Sequence, residues 1–369
     1  MATEAQEMQD EIIDRLEEEE IVQDDHNESP PSDIVAYNEL RSCADLYRMA
    51  DEGNLIIQPD FQRDFIWKGT DQTRFIDSLV KQLPVPSMCF AFDFKQNVWI
   101  VIDGLQRIST IIRFLAGGDW KLSSLDDIDP ALKGKNAATL KNAKSGENKI
   151  LFSRVQNQAL PVNILRCDLN KRAHNEYIFT IFHRLNSGGI KLNNQEIRNC
   201  IYSGPFNEAL RKLDQNAAWR AVNQMKEGEN YRFTKQETIL RFFAFMERRS
   251  DYRGSVAKFL NDYMFDKRNI KNIELDAKEL MFSQVADVMR EIFAEQVPPR
   301  LPGTVLEAAM VGIASNLAHV VELPQQEKRA RFDELRAHPS LSAEFLAEGL
   351  SKPDRVDARL NAAIEIFAK

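Results

Sequence analysis

The 369-residue sequence predicts an α+β protein, a mixed α/β domain followed by an all-helical one. Three observations carry this. Runs of β-branched and aromatic residues at 55–57, 88–92, 98–102 and 160–165 read as strands, and all precede residue 205. Beyond 205 the apolar residues recur only at helical spacing. Ahead of both, residues 1–33 hold thirteen acidic residues against one base, Arg15. The expected organisation is an acidic arm over 1–33, an α/β domain over 34–205 and a helical domain over 206–369.

Composition narrows the function classes. The chain carries a net charge of −8, but the arm alone contributes −12, which leaves 47 bases and 43 acids, a net of +4, in the body. A mildly basic body permits nucleic-acid contact without requiring it. Cys43, Cys89, Cys167 and Cys200 are widely separated and form no CxxC, so neither a zinc ribbon nor a disulfide framework is expected. No apolar run approaches the roughly 20 residues that span a bilayer, and the N-terminus is acidic with no apolar h-region. A cytoplasmic protein with no membrane partner is expected. Low hydrophobicity and blocks of like charge, such as Glu17-Glu18-Glu19-Glu20, predict that the arm is disordered or a frayed helix. It serves either as a solubilising tail or as a nucleic-acid mimic over a basic groove.

In chain order, Leu40, Leu46, Tyr47 and Met49 suggest a short helix over 38–50, and residues 55–57 a strand. The segment Gln58-Pro59-Asp60-Phe61-Gln62-Arg63-Asp64-Phe65-Ile66-Trp67 is neither helical nor alternating. Its aromatics can anchor it while Gln62 and Arg63 project; alternatively Arg63 simply pairs with Asp60 or Asp64. Residues 71–83 form an amphipathic helix, and a hairpin follows across Lys95-Gln96-Asn97. Residues 119–150 are polar and read as a long insert or mobile loop. A helix from Arg172 ends at Asn186-Ser187-Gly188-Gly189, a C-cap signal, and another starts near Leu192. The helical half follows, punctuated by Gly228, Gly254, Pro298-Pro299, Pro324 and Pro353.

The stretch with most chemistry is Val101-Ile102-Asp103-Gly104-Leu105-Gln106-Arg107, where a buried strand feeds a helix through a tight turn. Backbone N–H groups and the positive end of a helix dipole meet there, which suits a phosphate. Arg107 would add a charge-assisted hydrogen bond, Gln106 would orient a water, and Asp103 would either hold Mg²⁺ or cap the helix. No GxxxxGK[ST] or GxGxxG occurs, and His26, His174, His183, His319 and His338 show no metal-ligand spacing. The aromatics of Arg241-Phe242-Phe243-Ala244-Phe245-Met246 read as core. Arg248, Arg249, Arg253, Lys258, Lys267 and Arg268 form a candidate phosphate-backbone footprint, interrupted by Asp251, Asp262 and Asp266.

Three segments together resemble one family. Pro59-Asp60-Phe61-Gln62-Arg63 with Trp67, the Asp103–Arg107 turn, and the stretch from Ile181 through Asn186-Ser187-Gly188-Gly189 to Leu192 look like the N-terminal domain of GmrSD-type, modification-dependent (type IV) restriction endonucleases. That domain belongs to the ParB/sulfiredoxin-like superfamily, and the resemblance runs over about residues 35 to 205. It implies a ParB-like fold and nucleotide binding, with NTP hydrolysis, in defence against phage. The family turn reads Asp-Gly-Gln-Gln-Arg. Asp103, Gly104, Gln106 and Arg107 match it and Leu105 does not. Catalytic roles therefore carry over to Asp103, Gln106 and Arg107, and cofactor contacts to Gln62, Arg63, Gly104, Asn186 and Gly188. An NTP of unknown base with Mg²⁺ is the implied cofactor; the metal ligands are unknown. DNA and a nuclease or other defence-system subunit are the implied partners, with an oligomer open. The helical half shows no HNH-like segment, which argues against a self-contained nuclease. The alternative is a non-catalytic DNA-binding or scaffolding protein in which the Asp-Gly turn is structural.

Overall fold

In a computed structural model, residues 2–23, 30–57, 67–185, 192–226, 231–294 and 301–369 are described. The chain divides into two compact units. One is Asn27–Leu192, and the other joins Met1–His26 to Asn193–Lys369.

The α/β unit is built in order from β1 (Val35–Ser42), α2 (Cys43–Asp51), β2 (Leu55–Ile56), α3 (Gly69–Val80), β3 (Met88–Asp93), β4 (Val98–Asp103), α4 (Leu105–Ala116), the short α5 (Ala137–Lys141), α6 (Gly146–Asn157), β5 (Ala159–Cys167) and α7 (Arg172–Leu185). The strands form one mixed sheet in the order β1-β5-β3-β4-β2. β1 runs antiparallel to β5, β5 parallel to β3, β3 antiparallel to β4 and β4 parallel to β2. The β3–β4 hairpin closes where the Asp93 carboxylate accepts the N–H groups of Lys95 and Gln96, and Asn97 takes the left-handed conformation that asparagine tolerates. The apolar faces of α2, α3, α4 and α6 meet the sheet in one core, with Leu46, Ile76, Leu79, Phe90, Ile108, Ile111, Phe114, Phe152 and Ile164 buried.

Two expectations fail in this unit. Residues 35–42, in part assigned to a helix, are a strand, and the helix begins only at Cys43, where Ser42 Oγ accepts the Asp45 N–H. Residues 119–150 are not a loose insert. Trp120, Leu122, Ile128, Leu132 and Leu140 are buried in the core, and the peptide folds around them through a 3₁₀ turn, α5 and the start of α6.

The helical unit contains α1 (Ala2–Gln23) and then α8 (Asn194–Ile201), α9 (Pro205–Asp214), α10 (Ala217–Val222), α11 (Thr234–Arg248), α12 (Val256–Lys267), α13 (Asn272–Ile292), α14 (Gly303–Ser315), α15 (Leu317–Glu322), α16 (Gln325–Arg336), α17 (Ala343–Ala347) and α18 (Pro353–Ala368). Its centre is α14, apolar nearly all round and crossed closely by α18 at Gly312, where a Cβ would lie 2.6 Å from the Ala363 carbonyl oxygen. Phe242, Phe243 and Phe245 are core, as their spacing implies. None of the described helices is long and apolar enough to cross a membrane.

The acidic arm departs from the expected disordered or frayed segment. Ile13 of α1 is fully buried against Leu346 and Leu350, Asp10 pairs with Arg336, and the Glu17 carboxylate accepts the N–H groups of Gly303 and Thr304 at the start of α14. A carboxylate at a helix N-terminus is favourable, so three residues on one face offset the self-repulsion of the arm. The division between units also falls before α8 rather than near 205, because α8 buries its polar side chains in the helical unit. Arg198 donates to Asn261 and Glu237, and Asn199 donates to Gln236.

Asp214 closes α9 in an awkward place. It is buried, at a helix C-terminus, and its Oδ1 has no hydrogen-bond partner. Burial pushes its carboxyl up to about 6, against the opposing pull of Trp219 and Arg220. Below about pH 3, folded and unfolded chains both hold most of this proton. As pH rises from about 4 to 6 the unfolded chain releases it first, so stability falls, and the full penalty is present above 6. Asp214→Asn is expected to gain about 1–3 kcal/mol in urea unfolding at pH 8 and almost nothing at about pH 3. An equal gain at both pH values would rule this origin out.

Candidate functional site

β4 delivers Asp103 to the edge of the core, and the chain reverses into α4 through Gly104. Gly104 sits at φ +97° and ψ 14°, and a Cβ there would lie 2.6 Å from Met88 Cγ. Both the backbone conformation and the space therefore require glycine. The helix opens with Ile108 N–H donating to Gly104 O at 2.9 Å, and no side chain caps its N-terminus. Its first turn holds no acid, so the N–H groups of the turn and the positive end of the dipole remain available to an anion.

Arg107 stands on the first turn of α4 and is fixed on two sides. Its Nη2 donates to Asp103 Oδ2 at 2.8 Å, and its Nη1 donates to the carbonyl oxygens of Pro86 and Ser87. The Arg107 side chain is only 13% exposed and that of Asp103 37%. This places a braced cation beside the uncapped turn. Leu105, the departure from the family turn, is partly buried and packs its side chain against the core.

Gln106 does something the sequence did not suggest. Its Oε1 accepts the Trp67 N–H at 3.3 Å, while the Trp67 carbonyl accepts Gln72 Nε2 at 2.9 Å. Arg113, two turns further along α4, donates to Gln72 Oε1 at 2.8 Å and lies over the Trp120 ring. The Trp67 backbone is thus clamped from α4 and α3 together. Gln72 had one readable signal, since it is a polar residue inside the otherwise apolar stripe of an amphipathic helix.

Of the sequence-predicted site residues, Asp103, Gly104, Gln106 and Arg107 are brought together on this turn. Gln62, Arg63, Asn186 and Gly188 lie outside the described residues. Among the described residues no three His, Cys, Asp or Glu side chains cluster as metal ligands. The turn itself offers one carboxylate, Asp103. A Mg²⁺ held mainly by phosphates and waters needs no more than one or two.

Other candidate nucleophiles and cations are engaged in structure. Burial pushes the thiols of Cys43, Cys89 and Cys167 up to about 12. His174 accepts the Asp168 N–H at Nδ1 and meets Asp33 through Nε2 at 2.9 Å, so both ring nitrogens are used. In the proposed basic footprint, Arg248 pairs with Asp266, Arg249 with Asp357, Lys258 with Asp262 and Lys267 with Glu247 and Glu274. Two of the interrupting acids, Asp262 and Asp266, and three more distant ones neutralise much of it.

The turn, its glycine and its arginine fall within a segment that aligns with a known family. Residues 43–203 match the GmrSD restriction endonuclease, N-terminal domain. The match begins at α2, includes the whole β4–turn–α4 site and ends just past α8. The match spans less than half of the chain and shows similarity, over that segment, to one domain of a restriction endonuclease. No curated protein and no solved structure matches the chain.

Proposed function

We propose that the chain is the nucleotide-binding module of a restriction-type defence system, taking an NTP with Mg²⁺ at Asp103–Arg107. The observation that carries this reading is the uncapped α4 N-terminus behind a left-handed glycine, with Arg107 immobilised beside it. Turn N–H groups and the Arg107 charge would receive phosphate oxygens, and Asp103 would supply one oxygen to the metal. Bound Mg²⁺ would neutralise phosphate charge. The chain's own residues fix and orient the phosphates. With its Oε1 engaged by Trp67, Gln106 is a positioning residue rather than a water-activating one, which favours binding over turnover. Nucleotide state would then be passed to DNA or to a nuclease subunit.

A thermal-shift panel of the four NTPs with Mg²⁺ tests this. A ligand at 100 times its Kd stabilises the folded state by about 2.7 kcal/mol. Arg107→Lys keeps a cation but loses the two-sided brace and is expected to weaken binding roughly 10- to 150-fold, the worth of a charge-assisted hydrogen bond. Binding unchanged in that variant would remove the site. Salt-dependent DNA binding with no NTP response would instead favour the scaffolding alternative.

A further inference from the structure

The two edges of the sheet are built differently. β2 offers two residues, whereas β1 offers eight, in unbroken antiparallel register with β5 from Val35↔Arg166 to Ser42↔Ala159. Among the described residues no strand pairs with the outer side of β1. That edge carries no proline, no lysine and no bulge, and its two charges, Glu39 and Arg41, pair with each other. It also exposes apolar surface on both faces: Val35 is 50% exposed, Tyr37 37% and Leu40 72%. These are three of the ten exposed large apolar side chains among the described residues.

We propose that β1 is the interface with a second copy of this chain, pairing antiparallel with its own counterpart about a two-fold axis at Asn38. The strand's sequence chooses this occupant. In a two-fold antiparallel pair, facing residues lie on the same side of the sheet, so the axis must pass through a residue. Two registers pair nearly the whole strand. One is centred on Glu39 and opposes two carboxylates. The other is centred on Asn38 and opposes no like charges. There Asn38 meets Asn38, Leu40 meets Ala36, Tyr37 meets Glu39, and Val35 meets the aliphatic stem of Arg41. All three exposed apolar side chains gain a cross-strand partner. The result is one continuous ten-stranded sheet across the two copies, closed by the symmetry.

Light scattering on the full chain tests the interface. The expected mass is twice the 42.4 kDa of the chain. Leu40→Lys, on an exposed position, is expected to return it to the single-chain mass with an unchanged circular dichroism spectrum. The register has its own test, because the native cysteines are buried. Under mild oxidation Asn38→Cys is expected to form a disulfide-linked dimer, since facing Cβ atoms lie about 5 Å apart. Leu40→Cys is not, since its two thiols would sit roughly 13 Å apart along the strand. A single-chain mass for the wild type at 100 μM, a dimer that survives Leu40→Lys, or cross-linking at 40 and not at 38 would each overturn the proposal.

Discussion

Replacing Glu307 with glutamine is expected to destabilise the helical unit by about 3–5 kcal/mol, the largest single-residue effect anticipated away from the site. Glu307 lies on α14 with no solvent exposure. Its Oε2 accepts Arg241 Nε at 2.6 Å and its Oε1 accepts Arg359 Nη2 at 3.0 Å. Arg359 is equally buried and also donates to the Leu350 carbonyl. Burial alone would raise the Glu307 carboxyl, but the two guanidiniums hold it below its ordinary value. Its contribution is therefore present above the usual carboxylate range and is lost as pH falls through the depressed folded value. Glutamine keeps the shape and removes the charge, which leaves two guanidiniums in low dielectric with a neutral acceptor. Urea unfolding at pH 7 measures the loss. A companion variant, Glu307→Leu with Arg241→Met and Arg359→Met, replaces all three charges and is expected to lose far less, because it leaves no uncompensated ion. Equal losses in both would show that packing volume, rather than charge, sets the cost.

How much of this was readable beforehand depends on the range of the contacts. The division into strand-bearing and helical halves follows from periodicity, and β3, β4, α3 and α4 stand where their apolar spacing puts them. β1 was misread because both its faces are exposed, so no alternation marks it, while Leu40 falls in helical phase with Leu46 and Met49. The Ser42-x-x-Asp45 cap was the local sign of the true helix start. In residues 119–150 five buried side chains order a polar stretch whose average composition hides them. The α1 contacts join residues about 290 to 330 positions apart, which no local pattern discloses. The site divides the same way. Asp103, Gly104 and Arg107 lie within one turn, a proximity that local sequence discloses. The grip of Gln106 on Trp67 spans 39 positions and is not disclosed there.

Gly104→Ala is expected to cost about 2–5 kcal/mol and to abolish whatever anion binding the turn supports. Two terms add. A left-handed backbone costs an L-residue about 1–2 kcal/mol, and the new methyl would fall 2.6 Å from Met88 Cγ, where overpacking typically costs about 1–3 kcal/mol. Met88 cannot yield easily, because it is fully buried in the core and its strand is held on both sides, by β4 and β5. A double-mutant cycle with Met88→Ala separates the terms. The cavity relieves the clash but not the backbone strain, so the pair should lose less than the sum of the single variants. Asp103 and Arg107 lie on either side of Gly104. Relaxing the strain would rotate the first N–H groups of α4 away from the guanidinium, and binding should fail even where the fold survives. A Gly104→Ala protein within about 0.5 kcal/mol of wild type would mean that the turn adapts. A turn that adapts would lack the preorganisation that the proposed phosphate site requires.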